Sequence, residues 1–331
     1  MKVNIFDVAK RSGLSVVTVS RVLNQSSTVR QKNKEKVLKA MEELNYQPNA
    51  SARSLARGKT GIVGLSLSNL GDSFFDGVVK ETNERLREQG YLLALSISRS
   101  SGDAFRRSLF QEDRVDGVIL LSPTEEDDYL LELKNNKIPH VLIDNSKNHP
   151  SASSVIVDNF KGGYEAAKHL IELGHTEIAH ISGPDPFLSS RERERGFLAA
   201  LGEAGLQPYR VERGTFELSS GYEIATRWID SDTLPSALFA ADDYIALGVV
   251  DACLNRGIRI PERLSIVGFD DQKLASEFRP LLTTVRQPAD KIGAAAVELL
   301  LETMADPAKR KKTVRIGPTL IVRESTARKP T

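Results

Sequence analysis

The sequence contains almost no cysteine and no long apolar run. Cys253 is the single cysteine among 331 residues, so no intrachain disulfide can form and a reducing compartment is expected. The residues around Cys253 have an ordinary helical pattern, which argues against a catalytic thiol. No apolar stretch is long enough to cross a membrane, and Met1 leads into the first predicted helix without a signal peptide. We therefore expect a cytoplasmic protein.

Common catalytic motifs are also missing. The sequence has no Gly-x-x-x-x-Gly-Lys-Ser/Thr phosphate loop, no His-Glu-x-x-His zinc motif, no Gly-x-Ser-x-Gly nucleophile elbow and no convincing dinucleotide fingerprint. Asp270, Asp271 and the five histidines lack metal-ligand spacing. Those histidines are His140, His149, His169, His175 and His180. We expect no enzymatic activity, no cofactor and no metal site; a sugar-acting enzyme with an added N-terminal domain is the alternative from another class.

The net charge of +1 conceals two segments of opposite sign. Residues 1–60 contain twelve Lys and Arg but only four Asp and Glu, a net charge of +8, whereas residues 61–331 carry −7. A chain of 331 residues is long enough for a small N-terminal domain and a larger body. The charge distribution therefore predicts a basic head that is separable from the rest of the chain.

Residues 4–23 have the pattern of two short helices around a tight turn. Gly13 is the residue type that most easily adopts positive φ after a helix, and Ser15 is well placed to cap the next one. Three apolar residues of the second helix share the face that can pack on the first: Val19, Val22 and Leu23. This pattern predicts a helix-turn-helix, whose second helix enters the major groove of DNA.

The opposite face of the second helix carries short side chains and one arginine. Val17, Ser20 and Arg21 lie on that face, with Val16 beside them. An arginine fork matches O6 and N7 of guanine, and valine contacts the methyl group of thymine. We predict that this face reads bases. The structural alternative is a helical hairpin inside a larger core, which the charged terminal position of the motif disfavours.

A basic third helix and a short linker follow. Lysines run along the predicted helix, and its predicted buried stripe contains Val37, Leu38, Met41 and Leu44. Pro48 ends this helix, and Asn49 and Gly58 can begin and end a linker helix of about two turns. Leu55 is the conspicuous apolar residue of the linker. It can pack on the body, or it can enter the minor groove as a wedge between base steps.

From Thr60 onward, apolar runs typical of buried strands alternate with helical patterns. The predicted strands lie near 61–65, 92–95, 117–121, 141–143, 155–157, 178–181, 237–240 and 264–269. The predicted helices lie near 75–89, 103–113, 126–136, 160–173, 190–204, 220–230 and 243–256. This alternation predicts two doubly wound parallel-sheet subdomains. Ligands of such sheets bind beyond the carboxyl ends of the strands, so a cleft between the two halves is the expected binding place.

Several short motifs together resemble the lactose-repressor/galactose-repressor family. In the N-terminal segment they are Asp7-Val8-Ala9, Thr18-Val19-Ser20-Arg21-Val22-Leu23-Asn24, Leu44-Asn45-Tyr46-Gln47-Pro48-Asn49 and Ala52-Arg53-Ser54-Leu55. In the body they are Gly174-His175, Ala246-Leu247-Gly248, Ser265-Ile266-Val267-Gly268-Phe269-Asp270 and Leu282-Thr283-Thr284-Val285. Each motif alone is weak, but the head motif combined with Ala-Arg-Ser-Leu is highly specific. The resemblance covers nearly the whole chain in order.

The resemblance implies a homodimeric transcription regulator. Its fold would be a small all-α helix-turn-helix head plus an α/β body of the periplasmic-binding-protein type, built from two subdomains between which the chain crosses three times. The implied boundaries are 1–48 for the head, 49–60 for the hinge helix, and 61–327 for effector binding and dimerisation. Within the body they are 61–157 and 287–316 for the N-terminal subdomain, and 158–286 and 317–327 for the C-terminal subdomain. No leucine heptads follow the last strand, so a dimer is expected rather than a tetramer.

The same resemblance implies which residues contact DNA. The matching positions are Ser15, Val16, Val17, Thr18, Ser20, Arg21, Asn24, Ala52 and Leu55. Val16 and Val17 match the positions that set operator specificity, and Arg21 matches a base-reading arginine. Leu55 matches the minor-groove wedge at the centre of a palindromic operator, which favours the wedge over packing on the body. Valine donates no hydrogen bond, so methyl contacts with thymine are expected.

An effector pocket is implied in the same way. Its positions are Ser68, Phe75, Asp144, Ser189, Arg193, Phe216, Asp242 and Asp270. Carboxylates and a guanidinium can hold adjacent hydroxyls of a sugar, while an aromatic ring covers an apolar sugar face. Asn145 stands where the purine-binding relative has a large aromatic residue, so we prefer a sugar effector that relieves repression. A purine corepressor and a phosphorylated carrier protein are the alternatives within the family.

Overall fold

The computed structural model describes residues 3–24, 28–47, 58–67, 73–97, 114–123, 126–145 and 151–329. The chain divides into two compact units, Met1–Gly61 and Ile62–Thr331, which are called the head and the body below. Several predicted features lie outside the described residues: the linker helix with Ala52 and Leu55, the pocket residue Ser68, and the helix near 103–113.

The head contains three helices, α1 Ile5–Ser12, α2 Val16–Leu23 and α3 Gln31–Glu43. Asn4 and Asp7 form a capping box at the start of α1, because each side chain accepts a hydrogen bond from the other residue's backbone N–H. Gly13 ends α1 in the left-handed region, with φ of 69°. Ser15 begins α2 by accepting a hydrogen bond from the backbone N–H of Thr18 at 3.2 Å. The helix-turn-helix is thus specified by local caps.

A small apolar core holds the three helices of the head together. It consists of Val8, Ala9, Val19, Val37 and Ala40, with Met41 and Leu44 half-buried against it. The buried stripe predicted for α3 was wrong at Leu38, which is 57% exposed. Positions 37, 40, 41 and 44 follow the helical repeat and share one face, whereas Leu38 lies about 100° around the axis from Val37.

In the described part of the body there are two sheets of six strands each. The first has the order β11-β5-β4-β3-β1-β2. Its strands are β1 Ile62–Leu67, β2 Leu92–Ile97, β3 Gly117–Leu121, β4 His140–Ile143, β5 Ser153–Val157 and β11 Thr313–Ile316. The second has the order β12-β10-β9-β8-β6-β7. Its strands are β6 Ile178–Ser182, β7 Arg210–Arg213, β8 Ala237–Ala240, β9 Ser265–Asp270, β10 Thr283–Arg286 and β12 Thr319–Ile321. Neighbouring strands are parallel except for β12, which is antiparallel to β10.

Helices cover both sheets. They are α4 Ser73–Glu88, α5 Glu126–Asn135, α6 Asn159–Glu172, α7 Leu188–Glu203, α8 Leu218–Asp230, α9 Asp243–Asn255 and α10 Ala289–Ala305, and a 3₁₀ turn spans Lys273–Ser276. The chain passes between the sheets after β5, after β10 and after β11. The mostly parallel two-sheet architecture predicted from sequence is confirmed. Within the described ranges, no helix combines the length and apolar character that crossing a bilayer requires.

Helices α6 and α7 approach each other so closely that glycine is required on both. A Cβ added to Gly163 would lie 2.1 Å from the carbonyl oxygen of Arg193, and one added to Gly196 would lie 2.0 Å from the carbonyl oxygen of Phe160. These contacts are with backbone atoms, which cannot rotate away as a side chain can. The glycines therefore set the position of the Arg193 backbone relative to α6.

Cys253 lies in α9 and is completely buried in the apolar core of the second sheet. Burial raises the pKa of its thiol to about 11, so the group is protonated at neutral pH. A protonated, inaccessible thiol is a poor nucleophile. Cys253 therefore packs as a core residue beside the second sheet.

Candidate functional site

A cavity of about 480 Å³ lies between the two sheets of the body. We call it the cleft cavity. It is lined by Phe74, Phe75, Ser122, Asp144, Phe187, Ser189, Arg193, Thr215, Phe216, Glu217, Leu218, Asp242, Tyr244, Asp270 and Gln287. Most of these residues follow the carboxyl ends of strands or begin the next helix, as expected for parallel sheets. The described lining residues combine carboxylates, a guanidinium, hydroxyls and several aromatic rings in a space that suits a small polar molecule.

Arg193 is held rigidly at the wall of the cleft cavity. Its Nε donates to Oδ1 of Asn159 at 2.9 Å, and its Nη1 donates to the carbonyl oxygen of Ala241 at 2.6 Å. The guanidinium carbon lies 3.6 Å from the centre of the Phe269 ring, so the plane is also stacked. These contacts use two of the five N–H directions and orient the group before any ligand arrives.

Asp270 lies beside this guanidinium at the end of β9. Its Oδ1 is 3.2 Å from Nη2 of Arg193 and accepts a hydrogen bond from Nε2 of Gln287 at 2.5 Å. The side chains of Arg193 and Asp270 are only 5% and 10% exposed, so the ion pair is poorly screened by water. The backbone of Asp270 has φ of 101°, a region unfavourable for a residue with a Cβ. Strain of this kind is commonly retained at binding sites.

Asp144 reaches the cavity from the opposite sheet. Its Oδ2 accepts a hydrogen bond from the hydroxyl of Ser122 at 2.9 Å. Burial raises the pKa of the Asp144 carboxyl, and the positive charge of Arg193 and the Ser122 hydrogen bond partly oppose that effect. The electrostatic influence of Arg193 on Asp144 acts between the two subdomains. A molecule bound between them would therefore meet polar groups from both sides.

Asp242 has a structural role as well as a place in the cavity. Its Oδ1 accepts a hydrogen bond from the backbone N–H of Ile245 at 2.8 Å, so it caps α9. The neighbouring Asp243 points into the protein and is fully buried. Burial raises the pKa of the Asp243 carboxyl well above its ordinary value. Adjacent carboxylates thus face different environments.

Aromatic rings line both sides of the cleft cavity. Phe74 and Phe75, at the start of α4, have ring centres 5.6 Å apart. Phe187 and Phe216 come from the second subdomain and meet edge to face at 5.7 Å. Phe216 also has a positive φ of 60°, and a Cβ on Gly183 would lie 2.3 Å from its ring, so its position is closely determined. The rings provide apolar faces next to the charged groups.

The second helix of the head presents a face of short side chains with one arginine. Val17 is 61% exposed and Arg21 is also exposed, while Ser20 is half-buried. The hydroxyls of Ser15 and Thr18 are 2.9 Å apart at the start of the helix. Val16 is half-buried against the core of the head, so its methyl groups are less accessible than those of Val17. A face of short side chains is compatible with a helix that lies in the major groove of DNA.

Known proteins match both units. The family of bacterial regulatory proteins, lacI family, matches residues 4–49, and the periplasmic binding protein-like domain matches residues 167–326. The HTH-type transcriptional regulator DegA of Bacillus subtilis is 34% identical over 334 residues, covering 99% of each chain. The HTH-type transcriptional repressor PurR of Mannheimia succiniciproducens is 33% identical over 326 residues, covering 97% of this chain and 98% of PurR.

The chain belongs to the lacI family of bacterial regulatory proteins. It is a DNA-binding transcriptional regulator, as the family resemblance predicts. Among solved structures, the lac repressor dimer bound to operator and the anti-inducer ONPF has a TM-score of 0.89 at 30% identity and covers 99% of this chain and 100% of that one. The transcriptional regulator CelR in complex with cellobiose has a TM-score of 0.75 at 31% identity, covering 98% and 100%.

In this lacI-family regulator, the fold brings together seven of the predicted effector residues around one cavity: Phe75, Asp144, Ser189, Arg193, Phe216, Asp242 and Asp270. Their contact with an effector stays a prediction, as do the DNA contacts of Ser15, Val16, Val17, Thr18, Ser20, Arg21 and Asn24. The remaining predicted positions, Ser68, Ala52 and Leu55, lie outside the described residues.

Sequence reasoning missed other residues that line the cleft cavity. They are Phe74, Ser122, Phe187, Thr215, Glu217, Leu218, Tyr244 and Gln287. Ser122 directly follows a predicted strand, and Tyr244 begins a predicted helix, so the rule that ligands collect at strand ends would have found both. No comparable signal marks Gln287, because it follows β10, a strand without an apolar run.

Proposed function

We propose that this regulator is a repressor of carbohydrate-utilisation genes that binds a palindromic operator as a homodimer and is released by a sugar or sugar derivative. The observation that carries the proposal is the position of Asp144, Arg193 and Asp270 around one cavity. Asp144 approaches from one subdomain, and the ion pair of Arg193 with Asp270 approaches from the other. A ligand that contacts both sides alters the relation between the subdomains, and can shift DNA binding by its differential affinity for the two states.

Sugar chemistry fits these groups. Carboxylates accept hydrogen bonds from neighbouring hydroxyls, and the guanidinium donates to hydroxyl oxygens that remain. The rings of Phe75 and Phe216 can cover the apolar C–H faces of a pyranose. The cellobiose complex of CelR and a ribose-bound lacI-family regulator from Enterococcus faecium support this interpretation by similarity.

A purine is the second candidate. Phe75 and Phe216 come from opposite subdomains, which is the arrangement that a stacked planar base requires. Similarity to repressors named PurR, at 33–34% identity, favours the same candidate. A purine would act as a corepressor, so it would strengthen operator binding where a sugar weakens it. The direction of the effect on DNA separates the two.

Dimer formation is part of the proposal, because two heads are needed to read the two halves of a palindrome. Among the described strands, β2 lies at the edge of the first sheet and exposes three large apolar side chains. They are Leu92, Leu95 and Ile97, which are 70%, 42% and 47% exposed. An apolar edge of this kind normally requires a covering partner. Because a palindromic operator has two equivalent half-sites, we propose a second copy of the chain as this partner. The lac repressor relative is described as a dimer.

The effector proposal predicts a stabilising compound in a thermal-shift screen of monosaccharides, disaccharides, sugar phosphates and purine bases. We expect a neutral sugar to raise the unfolding temperature of the full-length protein and to weaken operator binding. Asp270→Asn should weaken binding of that sugar by about 10- to 100-fold, since hydrogen bonds to charged groups contribute about 1.5–3 kcal/mol.

Asp271→Asn is the matched control. Asp271 is the adjacent carboxylate, but it pairs with Arg286 and Arg323 and does not line the cleft cavity. It should retain sugar affinity despite any loss of stability. A stabilising compound with equal affinity for wild type and Asp270→Asn would place the binding site elsewhere. We also propose that the protein has no enzymatic activity. If incubation with the purified protein converts the sugar into another compound, that proposal is contradicted.

The DNA-reading proposal predicts a base-specific loss for Arg21→Ala. We expect a loss of about 1–3 kcal/mol in operator affinity, together with relaxed preference at one base pair of each half-site. Arg11→Ala is the control, because Arg11 lies in α1 and pairs with Glu43 at 2.5 Å. It should weaken binding less and without base preference. Binding to a library of operator variants measures both; an equal loss on every sequence for Arg21→Ala would refute base reading.

A further inference from the structure

A short turn at the end of β9 carries two neighbouring residues with positive φ. Asp270 has φ of 101° and Asp271 has φ of 54°. The turn is braced by side chains, because Asp271 pairs with Nε of Arg286 at 2.6 Å and with Nη2 of Arg323 at 2.5 Å. This bracing fixes the direction in which the chain leaves β9. The next residue is Gln272, which contacts Ser73 of the other subdomain.

A buried carboxyl group holds the backbone of Gln272 in place. Its backbone N–H donates to Oδ2 of Asp243 at 2.7 Å, and the hydroxyl of Thr284 donates to Oδ1 of the same carboxyl at 2.6 Å. Asp243 and Thr284 are completely buried, and Gln272 is 2% exposed. A Cβ on Gly268 would lie 2.1 Å from Asp243 Oδ1, so the strand leaves space for this carboxyl. Buried groups with satisfied hydrogen bonds hold one geometry.

The side chain of Gln272 crosses the cleft to the other subdomain. Its Oε1 accepts a hydrogen bond from the backbone N–H of Ser73 at 2.8 Å and another from the Ser73 hydroxyl. The same hydroxyl oxygen accepts a hydrogen bond from the backbone N–H of Lys273 at 2.9 Å. Ser73 is the first residue of α4, where backbone N–H groups have no partner within the helix. Gln272 therefore caps a helix that begins 199 residues earlier in the chain.

Both ends of this contact lie next to residues that line the cleft cavity. Asp270 lies two residues before Gln272, and Phe74 and Phe75 directly follow Ser73. The distance between the two walls therefore depends on the hydrogen bonds between Gln272 and Ser73. We propose that Gln272 is a positioning residue of the cleft cavity: it caps α4 across the cleft and holds the aromatic wall of one subdomain against the Asp270 wall of the other.

This role does not depend on which compound the cavity binds, so it can be tested without a ligand. The test is a double-mutant cycle in the full-length protein with Gln272→Met, Ser73→Ala and the combination of both. Methionine has nearly the shape of glutamine but supplies no strong acceptor, and Ser73→Ala removes the hydroxyl that joins Gln272 to Lys273. The readout is hydrogen exchange of a peptide covering the start of α4, compared with the rest of the body.

We expect Gln272→Met to speed exchange in the first turn of α4 by about five- to tenfold, since a capping bond is lost there. The double variant should exchange no more than about twofold faster than Gln272→Met, because the bond from the Ser73 hydroxyl to Gln272 is already lost in Gln272→Met. Ser325→Ala is the matched control. Ser325 makes a buried long-range bond, accepting from the Thr283 N–H at 2.8 Å, entirely within the second subdomain. It should leave exchange in α4 unchanged.

Three results would overturn the proposal. Unchanged exchange at the start of α4 in Gln272→Met would mean that no cap acts there in solution. Additive effects of the two substitutions would mean that Ser73 and Gln272 act separately. Faster exchange throughout the body, without enhancement in α4, would reduce Gln272 to a residue that contributes only general stability. None of these outcomes involves sugar or operator binding, so failure here is distinguishable from failure of the proposed function.

Discussion

Gly163→Ala is expected to destabilise the body by about 3 kcal/mol, at the upper end of the usual range for overpacking. The added Cβ would meet the carbonyl oxygen of Arg193 at 2.1 Å, so α6 and α7 must separate by an ångström or more. Separation also moves the Arg193 backbone, and with it the guanidinium that lines the cleft cavity. Urea denaturation of the full-length protein, followed by circular dichroism, measures the change in the free energy of unfolding.

Gly202→Ala is the matched control in the same helix. Among the described residues, a Cβ at this position would have no heavy atom within 4 Å outside its chain neighbours and its own helix backbone, and the residue is exposed near the end of α7. Replacing an unconstrained helical glycine with alanine is expected to stabilise by up to about 1 kcal/mol. The two substitutions should therefore have opposite signs. Equal or stabilising effects at Gly163 would show that the two helices are not in close contact in solution.

Acid should destabilise the body strongly because of one buried histidine. His180 lies in β6 between the rings of Phe197 and Phe239, with ring centres 5.0 and 4.7 Å away. Its Nδ1 is 2.8 Å from the carbonyl oxygen of Phe239, so Nδ1 carries the proton, and within the described part of the chain Nε2 has no hydrogen-bond partner. Burial lowers the pKa of His180 from 6.5 to about 3, since the charged ring would lose its hydration.

The direction of the pH effect follows from proton binding. Between pH 6.5 and pH 3 the unfolded chain protonates this histidine but the folded chain does not. The contribution of neutral His180 to the free energy of unfolding is therefore fully present above pH 6.5, and it is lost as the pH falls through this interval. At pH 4.5, about two pH units below the unfolded pKa, the loss attributable to His180 is about 2–3 kcal/mol. Chemical denaturation at pH 7.5 and pH 4.5 gives the difference.

His180→Phe separates this contribution from those of other titrating groups. The variant is expected to be less stable at pH 7.5, because the carbonyl of Phe239 loses its donor. Its further loss on acidification should nevertheless be about 2–3 kcal/mol smaller than that of wild type. A His169→Gln variant, at a half-buried histidine, should retain most of the wild-type acid sensitivity. The same acid-induced loss in wild type and His180→Phe would contradict this account.

The head was predicted closely because its determinants are local. Asn4, Gly13 and Ser15 act on residues within four positions, and their cap geometries are those expected of their types. The error at Leu38 arose from assigning a helical face by residue type, although the helical repeat places that position away from Val37 and Ala40.

Strands in the body were predictable only where they are apolar. Strand β7 is a polar edge strand, and β11 and β12 are also edges, so none has the apolar run of a buried strand. Strand β10 is different, because Thr283 and Thr284 are completely buried. The hydroxyl of Thr284 is satisfied by Asp243, which lies 41 residues away. A polar pattern of this kind looks like a loop until its distant partner is known.

The family resemblance identified part of the cavity, because Asp144, Arg193 and Asp270 match effector-pocket positions of the family. They did not reveal Gln287 or Gln272, whose roles depend on partners brought near by the crossings between sheets. The orientation of Arg193 likewise depends on Asn159, Ala241 and Phe269, which come from three separate parts of the chain. Periodicity and propensity contain no information about such contacts.

By itself, the sequence determined the helix-turn-helix, the basic charge of the head, the alternation of strands and helices, and the family. These features follow from composition or from interactions over a few residues, and neither depends on how the chain packs in three dimensions. The tertiary structure decided which polar groups share the cleft cavity, that Gln272 reaches Ser73, and that His180 must stay neutral. Those properties depend on burial and on partners far apart in the chain, and both exist only after the two sheets have packed.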